Sequence, residues 1–141
     1  KQPSNILLVD DNKHGLSARK LRLEELGYPT TALTSPSDAL EQICDSPFDL
    51  LITDYKMPKM DGITLIGEVR KKKPALPIIL ISGFVDSLGL NEESTGADVV
   101  IQKSANEITL LVRAVKRLLD PRMKRKPAGR ARADQQTRKL K

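Results

Sequence analysis

Short aliphatic runs that stop abruptly at a polar residue constrain this chain more than any other feature. Ile6–Val9, Leu50–Ile52 and Ile78–Ile81 are unbroken apolar stretches with no alternation of polar and apolar positions. Strands of this kind are buried on both faces, as in a sheet covered by helices on either side. All are far too short for a membrane span, which needs roughly 20 apolar residues. With 141 residues there is room for one domain and little more.

Helical patterns fill the gaps. From Lys13 to Leu26, Leu16, Leu23 and Leu26 fall on one face, and Gly27 is placed to stop the helix. Ser35-Pro36-Ser37-Asp38 reads as a helix start, with Ser at the cap, Pro at the first position and an acid at the third. Ile63, Ile66 and Val69 recur at helical spacing up to Lys73. Ser82–Gly96 predicts at most one short, soft helix, because Gly89 and its Asn, Glu and Ser content weaken it. Ser104-Ala105-Asn106-Glu107 predicts a second capping box before Ile108, Leu111, Val112, Val115, Leu118 and Leu119. Tyr28–Thr34, Phe48–Thr53 and Asp98–Gln102 complete the strands. The expectation is five strands alternating with five helices, hence an α/β fold with parallel pairing and right-handed crossovers.

In open sheets of this class, ligands bind beyond the carboxyl ends of the strands. Asp10 and Asp11 follow the first strand, Asp54 the third, Ser82 the fourth and Lys103 the fifth. Three carboxylates in one crevice repel one another unless a positive charge sits among them. A donor set of oxygens without Cys or His favours a hard cation such as Mg²⁺. A hydroxyl and an ammonium on the far side suit a tetrahedral oxyanion. The inferred site holds a divalent cation, a nucleophilic carboxylate and donors for a phosphoryl group, for which positioning and charge neutralisation are the main requirements.

These residues resemble the receiver domain of two-component response regulators. The resemblance rests on Leu7-Leu8-Val9-Asp10-Asp11-Asn12, on Leu51-Ile52-Thr53-Asp54-Tyr55-Lys56-Met57-Pro58-Lys59-Met60-Asp61-Gly62, on Ile79-Leu80-Ile81-Ser82-Gly83, and on Gly96-Ala97-Asp98 followed by Lys103. It covers about residues 4–120, and the combination is specific where any single piece is not. It implies a flavodoxin-like, doubly wound sheet in the order 2-1-3-4-5. It implies that Asp54 is the phosphoacceptor, taking a phosphoryl group from a phosphohistidine on a sensor histidine kinase or phosphotransfer protein. Asp10 and Asp11 would bind Mg²⁺ together with the Asp54 carboxylate and the backbone carbonyl of Lys56. Ser82 would be the switch hydroxyl and Lys103 its charged companion, Met57-Pro58 would shape the loop, and Gly62 would permit a tight turn. The product is a phosphorylation-controlled interaction switch rather than a metabolic enzyme, with a cytoplasmic location and a monomeric or weakly dimeric state expected.

Two positions depart from the family pattern. Val100 stands where an aromatic is usual, and Ser104 where a proline on a cis bond is common. A cis bond before a non-proline residue costs about 2.5–4 kcal/mol, which favours a trans Lys103–Ser104 bond. Both departures bear on how Ser82 is coupled to the surface of the fourth helix, fifth strand and fifth helix, not on phosphorylation itself.

Other residues read more plainly. His14 is expected on an exposed helix face, Cys44 half-buried, and Met57 and Met60 in loop packing. The lone Cys44 excludes an intrachain disulfide and a cysteine-only zinc site. The absence of Trp and the 3% aromatic content argue against a stacking surface for single-stranded nucleic acid. No secretory leader is evident at the start. The net charge of +6 is unevenly spread: residues 1–120 carry 15 basic and 17 acidic side chains, residues 121–141 nine and one. The expected division is therefore a receiver domain over 1–120 and a basic tail or linker over 121–141. The rival readings are a Mg²⁺-dependent phosphohydrolase and a phosphorylation-independent binding module, its tail contacting nucleic acid or an anionic surface through counterion release. The hydrolase is disfavoured because Lys56 stands where a second Asp would serve as acid/base.

Overall fold

The computed structural model describes residues 4–120. The expected basic tail, 121–141, lies outside the described residues.

The strands are β1 (Ile6–Val9), β2 (Thr30–Leu33), β3 (Leu50–Asp54), β4 (Ile78–Ser82) and β5 (Val99–Gln102). They form one parallel sheet in the order β2-β1-β3-β4-β5. The helices are α1 (Lys13–Glu25), α2 (Pro36–Asp45), α3 (Gly62–Lys72), α4 (Val85–Leu88), α5 (Glu92–Thr95) and α6 (Glu107–Leu119).

Side-chain alternation along the strands sorts the core into two layers. Leu7, Val9, Leu51, Ile78 and Leu80 pack with Ala39 and Ile43 of α2 and with Leu65, Ile66 and Val69 of α3. Ile6, Leu8, Leu50, Ile52, Ile79 and Ile81 pack with Leu16 and Leu23 of α1 and with Leu111, Ala114 and Val115 of α6. Fully burying such an aliphatic side chain stabilises by roughly 1.5–3 kcal/mol, which is why the runs tolerate no polar residue on either face. The strands end together: Asp54 pairs with Ile81, and Ser82 with Gln102. Their tips therefore form one rim.

Local chemistry sets the boundaries. Asn12 caps α1, its side chain accepting from the backbone N–H groups of His14 and Gly15. Ser35 caps α2 by accepting from Asp38 N–H, with Pro36 at the first helical position. Asp61 caps α3 by accepting from Thr64 N–H at 2.8 Å.

The expectation of five helices is corrected to six, because the segment after β4 divides. Gly89, with φ of +63°, ends α4, and Asn91 starts α5 afresh in a reciprocal capping box with Ser94. The capping box expected at Ser104 does not form. Ser104 Oγ accepts from Asn106 N–H, while the Glu107 carboxylate turns away to Arg19. No cis peptide bond occurs among the described residues, so the Lys103–Ser104 bond is trans. Cys44 is exposed rather than half-buried. His14 is exposed, as expected, and Met57 is buried in the core between sheet and helices.

Candidate functional site

The same alternation that sorts the core aims the polar residues at the strand tips. Asp10 continues the inward series of Ile6 and Leu8, and Asp54 that of Leu50 and Ile52. Both are directed toward the layer held by α1 and α6. Oxygen atoms from Asp10, Asp11 and Asp54 all lie within 4.8 Å of one another. Asp10 and Asp54 are buried, and Asp11 is exposed at the mouth. The cluster is the one that the sequence places at the rim.

Lys103 approaches from β5, its Nζ 2.8 Å from Asp54 Oδ1. Ser82 sits at the end of β4, buried, and its Oγ accepts from Phe84 N–H at 2.9 Å. A hydroxyl that accepts one bond still has its own proton to donate. Lys103 N–H donates to the Ser82 carbonyl, so the tips of β4 and β5 are tied together. Lys56, two residues past Asp54, holds its side chain over the Phe84 ring, 5.4 Å from the centroid.

Gly62 plays a different part from the expected turn-former. Its N–H donates to the Tyr55 carbonyl at 2.7 Å, closing the loop that follows Asp54. A Cβ there would collide with the Asp54 carbonyl oxygen and crowd Leu80 and Tyr55. The residue is small because the loop lies directly on the backbone of Asp54.

The electrostatics follow from burial. Burial pushes the Asp54 carboxyl above its ordinary range, and the neighbouring charge of Asp10 adds to this. The Lys103 ammonium and the more distant Arg19 guanidinium pull it back only in part. Asp54 Oδ1 is buried, with the Lys103 ammonium beside it. Three carboxylates within 4.8 Å carry more negative charge than the single ammonium of Lys103 offsets, and an all-oxygen set is the donor chemistry of a hard cation. The residues therefore fit Mg²⁺.

The sequence reading missed Arg19. Its guanidinium donates from Nη1 to Asp10 Oδ2 and from Nε to Glu107 Oε2, both at 2.6 Å, and the residue is buried. A signal was present: Arg19 lies three residues after Leu16 and four before Leu23, inside the apolar stripe of α1. A charged side chain on a buried helix face requires partners.

The chain was compared with known proteins. The family model described as response regulator receiver domain matches residues 6–115. The response regulator receiver protein CpdR of Brucella abortus is 37% identical over 89 residues, which is 63% of this chain and 73% of that protein. The transcriptional regulatory protein GlrR of Escherichia coli is 35% identical over 81 residues, 57% of this chain but 18% of that protein. The chain thus spans less than a fifth of several curated relatives that it matches. Among solved structures, the response regulator protein TrrA of Thermotoga maritima in complex with Mg²⁺-BeF is 34% identical with a TM-score of 0.75. The superposition covers 82% of this chain and 99% of that one. TrrA in complex with the histidine kinase ThkA matches with a TM-score of 0.74 at 34% identity, covering 82% of this chain and 98% of that one.

Proposed function

The chain belongs to the response regulator receiver domain family, and on that premise we propose that it is a phosphorylation-controlled switch whose phosphoacceptor is Asp54. The observation that carries this reading is the convergence of Asp10, Asp11 and Asp54 within 4.8 Å, with Lys103 2.8 Å from the Asp54 carboxylate. A lone acid on a loop needs no such company.

The donor is a phosphohistidine on a sensor histidine kinase or a phosphotransfer protein; the likeness to TrrA bound to the histidine kinase ThkA supports this class of partner. An oxygen of the Asp54 carboxylate attacks phosphorus. The P–N bond to the imidazole breaks, its electron pair stays on the ring nitrogen, and an acyl phosphate remains on Asp54. Lys103, already at the Asp54 carboxylate, faces the charge that the new phosphoryl oxygens bring. Ser82 has a proton to donate to one of those oxygens. Asp10, Asp11, Asp54 and the backbone carbonyl of Lys56 would hold Mg²⁺, which when bound supplies charge neutralisation for the transferring group. The crystal structure of TrrA with Mg²⁺-BeF supports that cofactor.

Attack by water on the acyl phosphate resets the switch, so the chemistry serves signalling rather than turnover of a metabolite. In this reading residues 1–120 form the receiver, residues 121–141 form a basic tail or linker, and the chain works in the cytoplasm. Among the described residues, no helix is long and apolar enough to cross a membrane.

Intact-mass analysis after incubation with a small phosphodonor and Mg²⁺ tests the proposal. The expected result is a gain of one phosphoryl group that disappears in Asp54→Ala. A gain that persists in that variant overturns the assignment.

A further inference from the structure

Arg19 of α1 is the buried cation nearest the acidic cluster that the phosphoryl chemistry does not use. Its side chain is 6% exposed, and its partners Asp10 and Glu107 are 1% and 15% exposed. It reaches the site from one helix and grips the first turn of another. The two carboxylates raise its affinity for a proton: burial pulls it down, but the hydrogen bonds and charges of Glu107 and Asp10 outweigh burial. The guanidinium is therefore permanently charged. Gly15, one turn earlier on α1, keeps the pair close to the backbone, since a Cβ there would stand 3.4 Å from both Arg19 Nη1 and Asp10 Oδ2.

Both oxygens of Asp10 have a partner within the chain. One of its oxygens accepts from Arg19, and the other accepts from Asn12 N–H at 2.9 Å. A dication entering the cluster must share Asp10 with a fixed positive charge. The force that Arg19 exerts on Asp10 in turn depends on how much of that charge Glu107 takes.

We propose that Arg19 is a positioning residue that acts as an internal counter-cation for Asp10, weakening Mg²⁺ binding at the acidic cluster, and that Glu107 of α6 sets how strongly it does so. The proposal rests on the reading of Asp10, Asp11 and Asp54 as the Mg²⁺ site. It makes the metal site and the N-terminal turn of α6 two ends of one electrostatic link. With Asp10 shared with Mg²⁺, Arg19 would lean toward Glu107 and hold α6 more firmly. Linkage makes the effect reciprocal.

The sign of the effect separates this role from a merely structural one. Removing Arg19 leaves Asp10 uncompensated and eager for a cation, so Arg19→Met binds Mg²⁺ about fivefold more tightly than the unaltered protein. Neutralising Glu107 concentrates the guanidinium charge on Asp10, so Glu107→Gln binds Mg²⁺ about twofold to threefold more weakly. In the Arg19→Met background, Glu107→Gln has no further effect, because the link is already cut.

Mg²⁺ titrations of the phosphate-free protein, followed by ¹H–¹⁵N spectra, give these affinities and at the same time the response of the α6 amides. The cap and first turn of α6, residues 106–110, are expected to shift with Mg²⁺ in the unaltered protein and to stay still in Arg19→Met. Equal or weaker Mg²⁺ binding by Arg19→Met overturns the proposal. Equal loss on Glu107→Gln with and without Arg19 also overturns it, since the effect is then a long-range field. Should Arg19→Met not fold, Glu107→Gln decides: affinity equal to or above that of the unaltered protein is the overturning result. Failure of the unaltered protein to bind Mg²⁺ at all refutes the reading of the metal site, and the link with it.

Discussion

Lys103 Nζ stands 2.8 Å from Asp54 Oδ1, an ion pair that joins the tips of β5 and β3. The ammonium offsets part of the cost of burying the Asp54 carboxylate. Its side chain is 36% exposed, so the ammonium faces the open mouth of the site as well as the carboxylate.

That geometry predicts the effect of deleting the charge. In Lys103→Ala, phosphoryl uptake by Asp54 slows by about a hundredfold, the usual cost of losing one charged donor at a reacting centre. A time course of intact mass with a small phosphodonor and saturating Mg²⁺ reads the rate. Uptake at the unaltered rate would show that Lys103 is an onlooker.

Asp54 makes folding depend on pH in an unusual direction. Burial holds its folded-state carboxyl above the ordinary value, so the folded protein binds the proton more tightly than the unfolded chain does. Stability from this group is therefore gained as pH falls from neutral through the raised value toward the ordinary carboxylate range, and the ionised group is a cost above it. Asp54→Asn removes the cost. Without Mg²⁺ at pH 7, its melting temperature is expected to rise by roughly 2–6 °C. The gain on mild acidification expected of the unaltered protein should be missing. A lower melting temperature in Asp54→Asn would mean that its contacts outweigh its burial.

Much of this site was legible because strand burial and site chemistry use the same residues. A run such as Ile78–Ile81 admits no polar side chain until the sheet ends, so Ser82 marks the rim by default. Asp10 and Asp54 announce themselves in the same way. The pairing of Arg19 with Glu107 was not legible, because each has a plain local reading as a helix charge. Only the periodicity of Leu16 and Leu23 places Arg19 on the buried face, and nothing local pairs it with a residue 88 positions away. The failed capping box at Ser104 has the same origin, since Glu107 was already committed to Arg19. The split into α4 and α5 turned on one left-handed Gly89, a choice that composition alone leaves open.

Gly62 is the position where backbone proximity fixes the residue. Any side chain meets the Asp54 carbonyl, with Leu80 Cδ1 at 2.9 Å and Tyr55 Cα at 3.0 Å leaving no room to retreat. Gly62→Ala must either push the loop off Asp54 or break the 2.7 Å bond from its N–H to the Tyr55 carbonyl. The expected loss is about 1–3 kcal/mol in urea unfolding, in the range of overpacked buried positions. Phosphoryl uptake should fall as well, because the same loop carries Lys56. A change below about 0.5 kcal/mol, typical of a surface site, would contradict the close approach.

Ser82 offers the test of how the site speaks to its surroundings when Val100 stands in place of an aromatic. Val100 is half-buried and packs against the core layer of α2 and α3, with no ring to swing. The hydroxyl of Ser82 instead holds Phe84 N–H at 2.9 Å. The Phe84 ring packs edge-on to Tyr55, with centroids 6.2 Å apart, and lies under Lys56. A hydroxyl that donates to a phosphoryl oxygen while it accepts from the Phe84 amide links the two, so a change at one end is felt at the other. Phosphorylation is therefore expected to displace the Phe84 amide and ring resonances in the unaltered protein. In Ser82→Ala the phosphoryl group should still be accepted, since Asp54 and Lys103 remain, but Phe84 should no longer respond. The comparison needs only NMR spectra of both proteins before and after treatment with the Mg²⁺–beryllofluoride mimic. Identical displacement of Phe84 in the two would place the coupling on a route that does not pass through Ser82.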